Sequence, residues 1–178
     1  MTLDLDGYIA ALPVRVISAP RLPVPKRYQT WNFPLLKPYN GFDGTERRRA
    51  GQLGVWLLAA GCIVLPERCD ICGTLGPVGL HGELYYDVSR DPALCRACHR
   101  SIHFRFWQWD AWRKIVDGSA VTGYEWFALI PRHNLELAQH LRNRWGWRVA
   151  DIERSPLTPL PHAVATLLPR NMLPHAQL

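Results

Sequence analysis

A chain of 178 residues that is 48% hydrophobic can bury one core but is short for two full domains. Its formal charge of +6 favours an anionic partner, and 18 of its 21 basic residues are Arg, whose planar fork suits phosphate and guanine better than an ammonium does. The most apolar run, Leu53 to Leu65, spans 13 residues and is broken by Gly54 and Gly61; a bilayer span needs about 20 apolar residues, so no membrane partner is expected.

The opening segment, MTLDLDGYIAALPVRV, has no basic stretch followed by an apolar run and a small-residue cleavage site, and a cytoplasmic protein is the default expectation. Residues 1–41 read as a proline-rich N-terminal arm, because six prolines from Pro13 to Pro38 remove backbone donors and block regular helix or central strand. Tyr28, Trp31, Phe33 and Tyr39 predict that this arm docks on the domain, with a grip on nucleic acid as the alternative. A single core domain is expected over 42–150. It opens with a helix in TERRRAGQLGVWLLAAG that Asp43 or Thr45 can cap, with Glu46 in the first turn and Gly61 as the stop. Ala50, Leu53, Leu57 and Leu58 recur there at helical spacing, and Arg47-Arg48-Arg49 reads as a solvated face or, alternatively, a phosphate contact.

Four of the five cysteines form two pairs, Cys69-Asp-Ile-Cys72-Gly73 and Cys95-Arg-Ala-Cys98, with 22 residues between them. Two residues between cysteines let both thiolates reach one ion, and four soft ligands suit tetrahedral zinc, so a structural zinc site is predicted, with a redox pair as the competitor. Cys62, the odd one, reads as a small buried apolar residue. GPVGLHGELYYDV predicts a β-hairpin around Gly79 and Gly82. Asp91-Pro92 predicts the cap and first turn of a long helix that carries Cys95 and Cys98 and runs on through Ile102, Phe106, Trp109 and Val116. Knuckle, hairpin and helix make a treble clef over 69–117, in which zinc replaces a core too small to form alone. Beyond it, Thr122 to Glu125 has capping-box spacing ahead of WFALI, and a helix is predicted from about Asn134 to Trp145, stopped by Gly146. Residues 151–178 hold five prolines and read as a Pro-rich C-terminal tail. The expected fold class is α+β, mainly helical, a treble-clef zinc finger flanked by helices and Pro-rich extended ends.

Cys69-x-x-Cys-Gly, Leu80-His81 and Leu94-Cys-Arg-Ala-Cys-His99-Arg-Ser-Ile-His103 together resemble the zinc-finger variety of HNH endonucleases, whose ββα-metal motif is a modified treble clef. The resemblance covers roughly Cys69 to Phe104. It implies that His81, His99 and His103 coordinate one catalytic divalent ion (Mg, Mn, Ni or Zn) beside the structural zinc. The spacing of His99 and His103 agrees, since i and i+4 share one helix face. In the family a second histidine directly follows the first and acts as general base; here that position is Gly82. The asparagine usually found a few residues before Leu-Cys is also missing from Ser89-Arg-Asp91. Glu83 is the candidate replacement, as base or metal ligand, with Asp87 and Tyr85 as weaker ones. A solvated or salt-bridged Glu83 is the alternative, as is a hydrogen-bonding role for His99 and His103.

Between Cys95 and Lys114, Arg96, Arg100, Arg105, Arg113 and Lys114 face one acid, Asp110, which predicts a nucleic-acid-binding surface for DNA or, second, RNA. Trp107, Trp109 and Trp112 cannot all enter one core; packing and base stacking are both open to them. Three functions follow: HNH-type phosphodiester hydrolysis, a catalytically inactive nucleic-acid-binding module, or a zinc-stapled protein–protein adaptor.

Overall fold

The computed structural model describes residues 3–28 and 33–145. Trp31, Gly146 and the tail at 151–178 lie outside them. The described elements, in chain order, are α1 (Leu5–Ala11), α2 (Gly44–Ala59), β1 (Val78–Leu80), β2 (Ala93–Cys95), α3 (Arg96–Phe104), α4 (Trp109–Ser119) and α5 (Leu137–Trp145), with short 3-10 turns at Lys26–Tyr28, Val88–Arg90 and Trp126–Leu129. The class is α+β, with a single two-stranded antiparallel sheet among the described residues. No described helix is long and apolar enough to cross a membrane.

The expected boundary at 150 lies outside the described residues. Two compact units form, each from separate stretches of sequence: the described parts of Met1–Pro13, Leu65–His81 and Asp91–Leu135 make one, and those of Val14–Val64, Gly82–Arg90 and Glu136–Leu178 the other.

In the first unit the sheet is minimal. Val78, Gly79 and Leu80 pair with Cys95, Leu94 and Ala93. The second strand of the hairpin is thus Ala93–Cys95, where ELYYDV was expected, and residues 82–90 pack in the other unit. The cysteine knuckle is fixed to β2 from both sides: Asp70 N–H donates to the Ala93 carbonyl at 2.9 Å, and Ala93 N–H donates to Asp70 Oδ2 at 2.6 Å. Gly73 makes the knuckle turn at φ +66°, a left-handed conformation that favours glycine, and its N–H donates to the Cys69 carbonyl.

The cap of α3 also differs from expectation. Cys95 is the N-cap and its sulfur accepts from Cys98 N–H at 3.5 Å; Asp91 and Pro92 lie before the strand. The expected long helix is two helices. Arg105 causes the break, because its wholly buried guanidinium takes the Ile102 carbonyl (Nη1, 2.7 Å) and reaches the Pro131 carbonyl (Nε, 3.0 Å), while Trp107 and Gln108 N–H both turn back to the Phe104 carbonyl. Ile102, Trp112, Val116, Phe127 and Ile130 fill this unit's core with Tyr8 and Ile9 of α1, a helix that the proline reading of the arm did not anticipate. After α4, the Glu125 carboxylate accepts from Val121, Thr122 and Gly123 N–H, so Thr122 to Glu125 organises a turn, and WFAL follows as a 3-10 turn instead of an α-helix.

In the second unit, α2 is capped as a capping box. Asp43 accepts from Thr45 and Glu46 N–H, and Glu46 accepts from Asp43 N–H at 2.7 Å. At its other end Gly61 takes φ +70°, with Gly61 N–H bonded to the Leu58 carbonyl and Cys62 N–H to the Leu57 carbonyl, the two bonds of a Schellman stop. Phe42, Leu53, Trp56, Leu57, Leu84 and Leu141 are buried here. Glu46, itself buried, accepts from Tyr86 Oη at 2.5 Å and pairs with Arg142 of α5, so one carboxylate joins a helix cap, the 82–90 segment and the last described helix.

Candidate metal centre

Two groups of metal-ligating side chains lie in the first unit. Within each, the ligand atoms all fall within 4.8 Å of one another: Cys69, Cys72, Cys95 and Cys98 in one, His81, His99 and His103 in the other. The sulfurs of Cys72 and Cys95, from different pairs, are 3.9 Å apart. Two thiolates bound at about 2.3 Å to a tetrahedral ion stand roughly 3.8 Å apart, so the spacing suits zinc.

The thiols are electrostatically at odds without a cation. Burial pushes the Cys98 thiol up, and charge on Cys69 and Cys72 pushes it further; burial also raises Cys69. At Cys72 burial opposes ionisation too, but hydrogen bonding with Thr74 (Sγ–Oγ1 3.2 Å), Cys98 and Cys69 outweighs it and brings the thiol down to about 6. A divalent cation among the four sulfurs stabilises every thiolate and removes this conflict.

The histidines reach their site from two elements. His81 follows β1, where its N–H donates to the Pro92 carbonyl at 2.8 Å, and its side chain is only 1% exposed. His99 and His103 sit one turn apart on α3. Ring centroids are 5.0 Å apart for His81 and His99, 4.9 Å for His81 and His103, and 5.1 Å for His99 and His103. Burial, reinforced by His81, lowers His99 to about 4, so at neutral pH it is an uncharged imidazole with a lone pair to offer. The cysteine set and the histidine set share α3: Cys95 and Cys98 anchor its first turn, and the same turn presents His99. A concavity of about 450 Å³ opens on this face, lined by Pro77, Val78, Leu94, Arg96, His99 and Arg100, with Gly79 and His103 completing it.

The other expected site residues separate. Arg96, Arg100 and Lys114 are exposed; Arg113 is half-buried and pairs with Asp117 at 2.7 Å. Arg105 does not join a binding surface: the 0% exposure that lets it break the helix removes it from any polyanion. Glu83 is 0% exposed in the second unit, where it accepts from Asn40 Nδ2 at 2.6 Å and Tyr39 Oη at 3.3 Å. Those partners hold it as a buried structural acceptor, and the sequence offered no sign of them because they lie more than forty positions away. Asp87 is buried and takes the hydroxyl of Ser89 and the guanidinium of Arg90, with burial raising its carboxyl. At Gly82, a Cβ would stand 2.6 Å from Tyr85 Cε1. The tyrosine ring occupies the space that a side chain there would need.

The described residues therefore define an α+β protein with two adjacent metal-ligating groups, four thiols and three imidazoles, which could hold metal such as zinc. No protein-family model, curated protein or solved structure matches the chain.

Proposed function

We propose that this chain is a zinc-stapled, HNH-like treble-clef protein that engages the phosphodiester backbone of nucleic acid, DNA first and RNA second, at the histidine trio. The carrying observation is that His99 and His103 line one concavity with Arg96 and Arg100, within ligand distance of His81. The cysteine quartet would hold zinc and fix β2 to the start of α3. His81, His99 and His103 would hold a second divalent ion, Mg, Mn, Ni or Zn, which supplies Lewis-acid charge to a phosphate oxygen. Arg96 and Arg100 set neighbouring phosphates beside that point, and a neutral His99 keeps its lone pair available at physiological pH.

Phosphodiester hydrolysis also needs a proton acceptor for the attacking water. Gly82 supplies none, and Glu83 is sequestered by Asn40 and Tyr39. These two observations favour a second reading, a nucleic-acid-binding module without cleavage. Metal analysis of the purified chain, followed by plasmid incubation with each of the four metals, separates the two. Retention of two divalent ions per chain, falling to one in His99→Ala, supports the histidine centre; metal-dependent nicking lost in the same variant adds endonuclease activity. A salt-sensitive gel shift without nicking supports the binding module. Neither nicking nor a shift sinks the nucleic-acid reading and leaves a protein–protein adaptor.

A further inference from the structure

Trp107 lies in the tight turn after α3 and is 62% exposed, among the largest apolar groups that the described surface offers to solvent. A single exposed tryptophan needs no explanation by itself. This one is braced. Its N–H donates to the Phe104 carbonyl at 3.1 Å, its ring centroid is 5.3 Å from that of Phe104 and 6.3 Å from that of Phe106, and Phe106 carries the Arg105 guanidinium 4.1 Å over its ring. Arg132 Nε is bonded to the Phe106 carbonyl, which ties the turn again from behind. The turn is fixed through its backbone and the ring rests against two neighbours, which lowers the entropy that stacking against it would cost.

What lies next to the ring indicates the occupant. Arg100 places its guanidinium 5.0 Å from the Phe104 ring centroid, and Arg100 and Arg96 stand one helical turn apart on the rim of the histidine concavity. α3, RACHRSIHF, contains no acid at all. Cation, cation, aromatic, aromatic thus follow one another along Arg96, Arg100, Phe104 and Trp107. An apolar protein segment would match the aromatic end and waste the charged one; a polyanion with detachable flat bases matches both.

We propose that Trp107 is the stacking platform for an unpaired base of a single-stranded nucleic acid whose adjacent phosphates rest on Arg96 and Arg100. The proposal rests on the nucleic-acid reading above and narrows it, because in a duplex the bases are already stacked on one another and none is available to the ring.

Fluorescence anisotropy of the full-length zinc-loaded protein tests this with labelled oligothymidylate, oligouridylate and an abasic deoxyribose-phosphate strand, each of about 12 nucleotides. Stacking on an aromatic ring is worth about 1–3 kcal/mol per base, so the abasic strand is expected to bind about 5- to 150-fold more weakly than oligothymidylate. Trp107→Ala is expected to bring oligothymidylate down to the abasic level and leave the abasic strand unchanged, while Trp107→Phe recovers most of the loss. The oligouridylate arm shows whether the strand taken is RNA as well as DNA. Equal losses on base-bearing and abasic strands, or no loss on either, overturn the stacking platform. If duplex still binds with salt sensitivity in those cases, the broader reading survives; binding of no strand and no duplex overturns both.

Discussion

Arg105 and Arg100 are the same residue type five positions apart, yet the fold gives them opposite uses. Arg100 projects over Phe104 at the surface, while Arg105 turns inward and donates to two main-chain carbonyls. Truncating Arg105 to alanine should therefore cost stability, about 2–4 kcal/mol for losing two charge-assisted hydrogen bonds, seen as a lower urea midpoint. It should leave in place the salt dependence of the proposed nucleic-acid binding. On the proposed nucleic-acid reading, Arg96→Ala and Arg100→Ala should do the reverse, each reducing the slope of log K against log salt by about 1 with little change in the urea midpoint. A loss of slope in Arg105→Ala at unchanged stability would contradict the assignment. Gly82 makes the same point about context. Tyr85, whose ring blocks a Cβ there, has a left-handed backbone (φ +52°), accepts from Arg47 Nε at 2.8 Å and packs against Phe42 at 5.0 Å, so it cannot yield the space cheaply. A residue unable to act as a base is thus also one whose replacement the surrounding packing resists.

Among the elements, α2 depends most on one side chain, since Glu46 closes its capping box, accepts the Tyr86 hydroxyl and pairs with Arg142. Burial first, and then the Glu46 carboxylate, push the Tyr86 phenol well above its ordinary value. In the unfolded chain Tyr86 ionises near pH 10. Above that pH the unfolded state has lost a proton that the folded state keeps, so folding stability falls as pH rises, and the contribution is complete only below the unfolded value. Tyr86→Phe should be less stable than the parent at pH 8, where the hydrogen bond is lost, and the gap should narrow between pH 10 and 11 in urea titrations. A constant gap would show that the phenol is not held protonated. This helix was legible in the sequence, because Asp43, Glu46 and Gly61 are local signals whose partners lie within a few residues. The two cysteine pairs were legible for the same reason, each having the two-residue spacing that lets both sulfurs reach one ion. The strands were not: three residues are too few to show alternation, and the partner of Val78–Leu80 lies beyond a segment that packs elsewhere. Nor could the sequence foretell that Glu83 is committed to Asn40 or that Arg105 ends α3. Both depend on groups distant along the chain. The histidine trio was half legible, His99 and His103 from helical spacing and His81 from the resemblance alone.

Across the whole molecule, the two units owe their order to different forces. The second buries Trp56 and Leu57 of α2 along with Phe42, Leu84 and Leu141 and adds the Glu46 network, none of which involves one of the candidate metal ligands. In the first, the stretches 69–81 and 91–104 hold a sheet of two three-residue strands and a nine-residue helix, and isolated helices and hairpins of that size are marginal in water. Four thiolates on one ion would make up the deficit there, since structural zinc sites contribute directly to folding. Removing metal with a chelator should accordingly act unevenly. In hydrogen-exchange mass spectrometry, amides of 69–81 and 91–104 should lose protection, while those of 44–59 and 82–90 keep theirs. Cys95→Ser should reproduce the pattern without chelator, because it removes one of the four candidate ligands while the serine hydroxyl can still cap α3. Metal content should fall in step with protection over 69–81 and 91–104. Uniform loss of protection along the chain would instead mean that the ion stabilises both units as one cooperative body, and retention of protection at 69–81 and 91–104 would mean that the cysteine quartet is not what holds these stretches together.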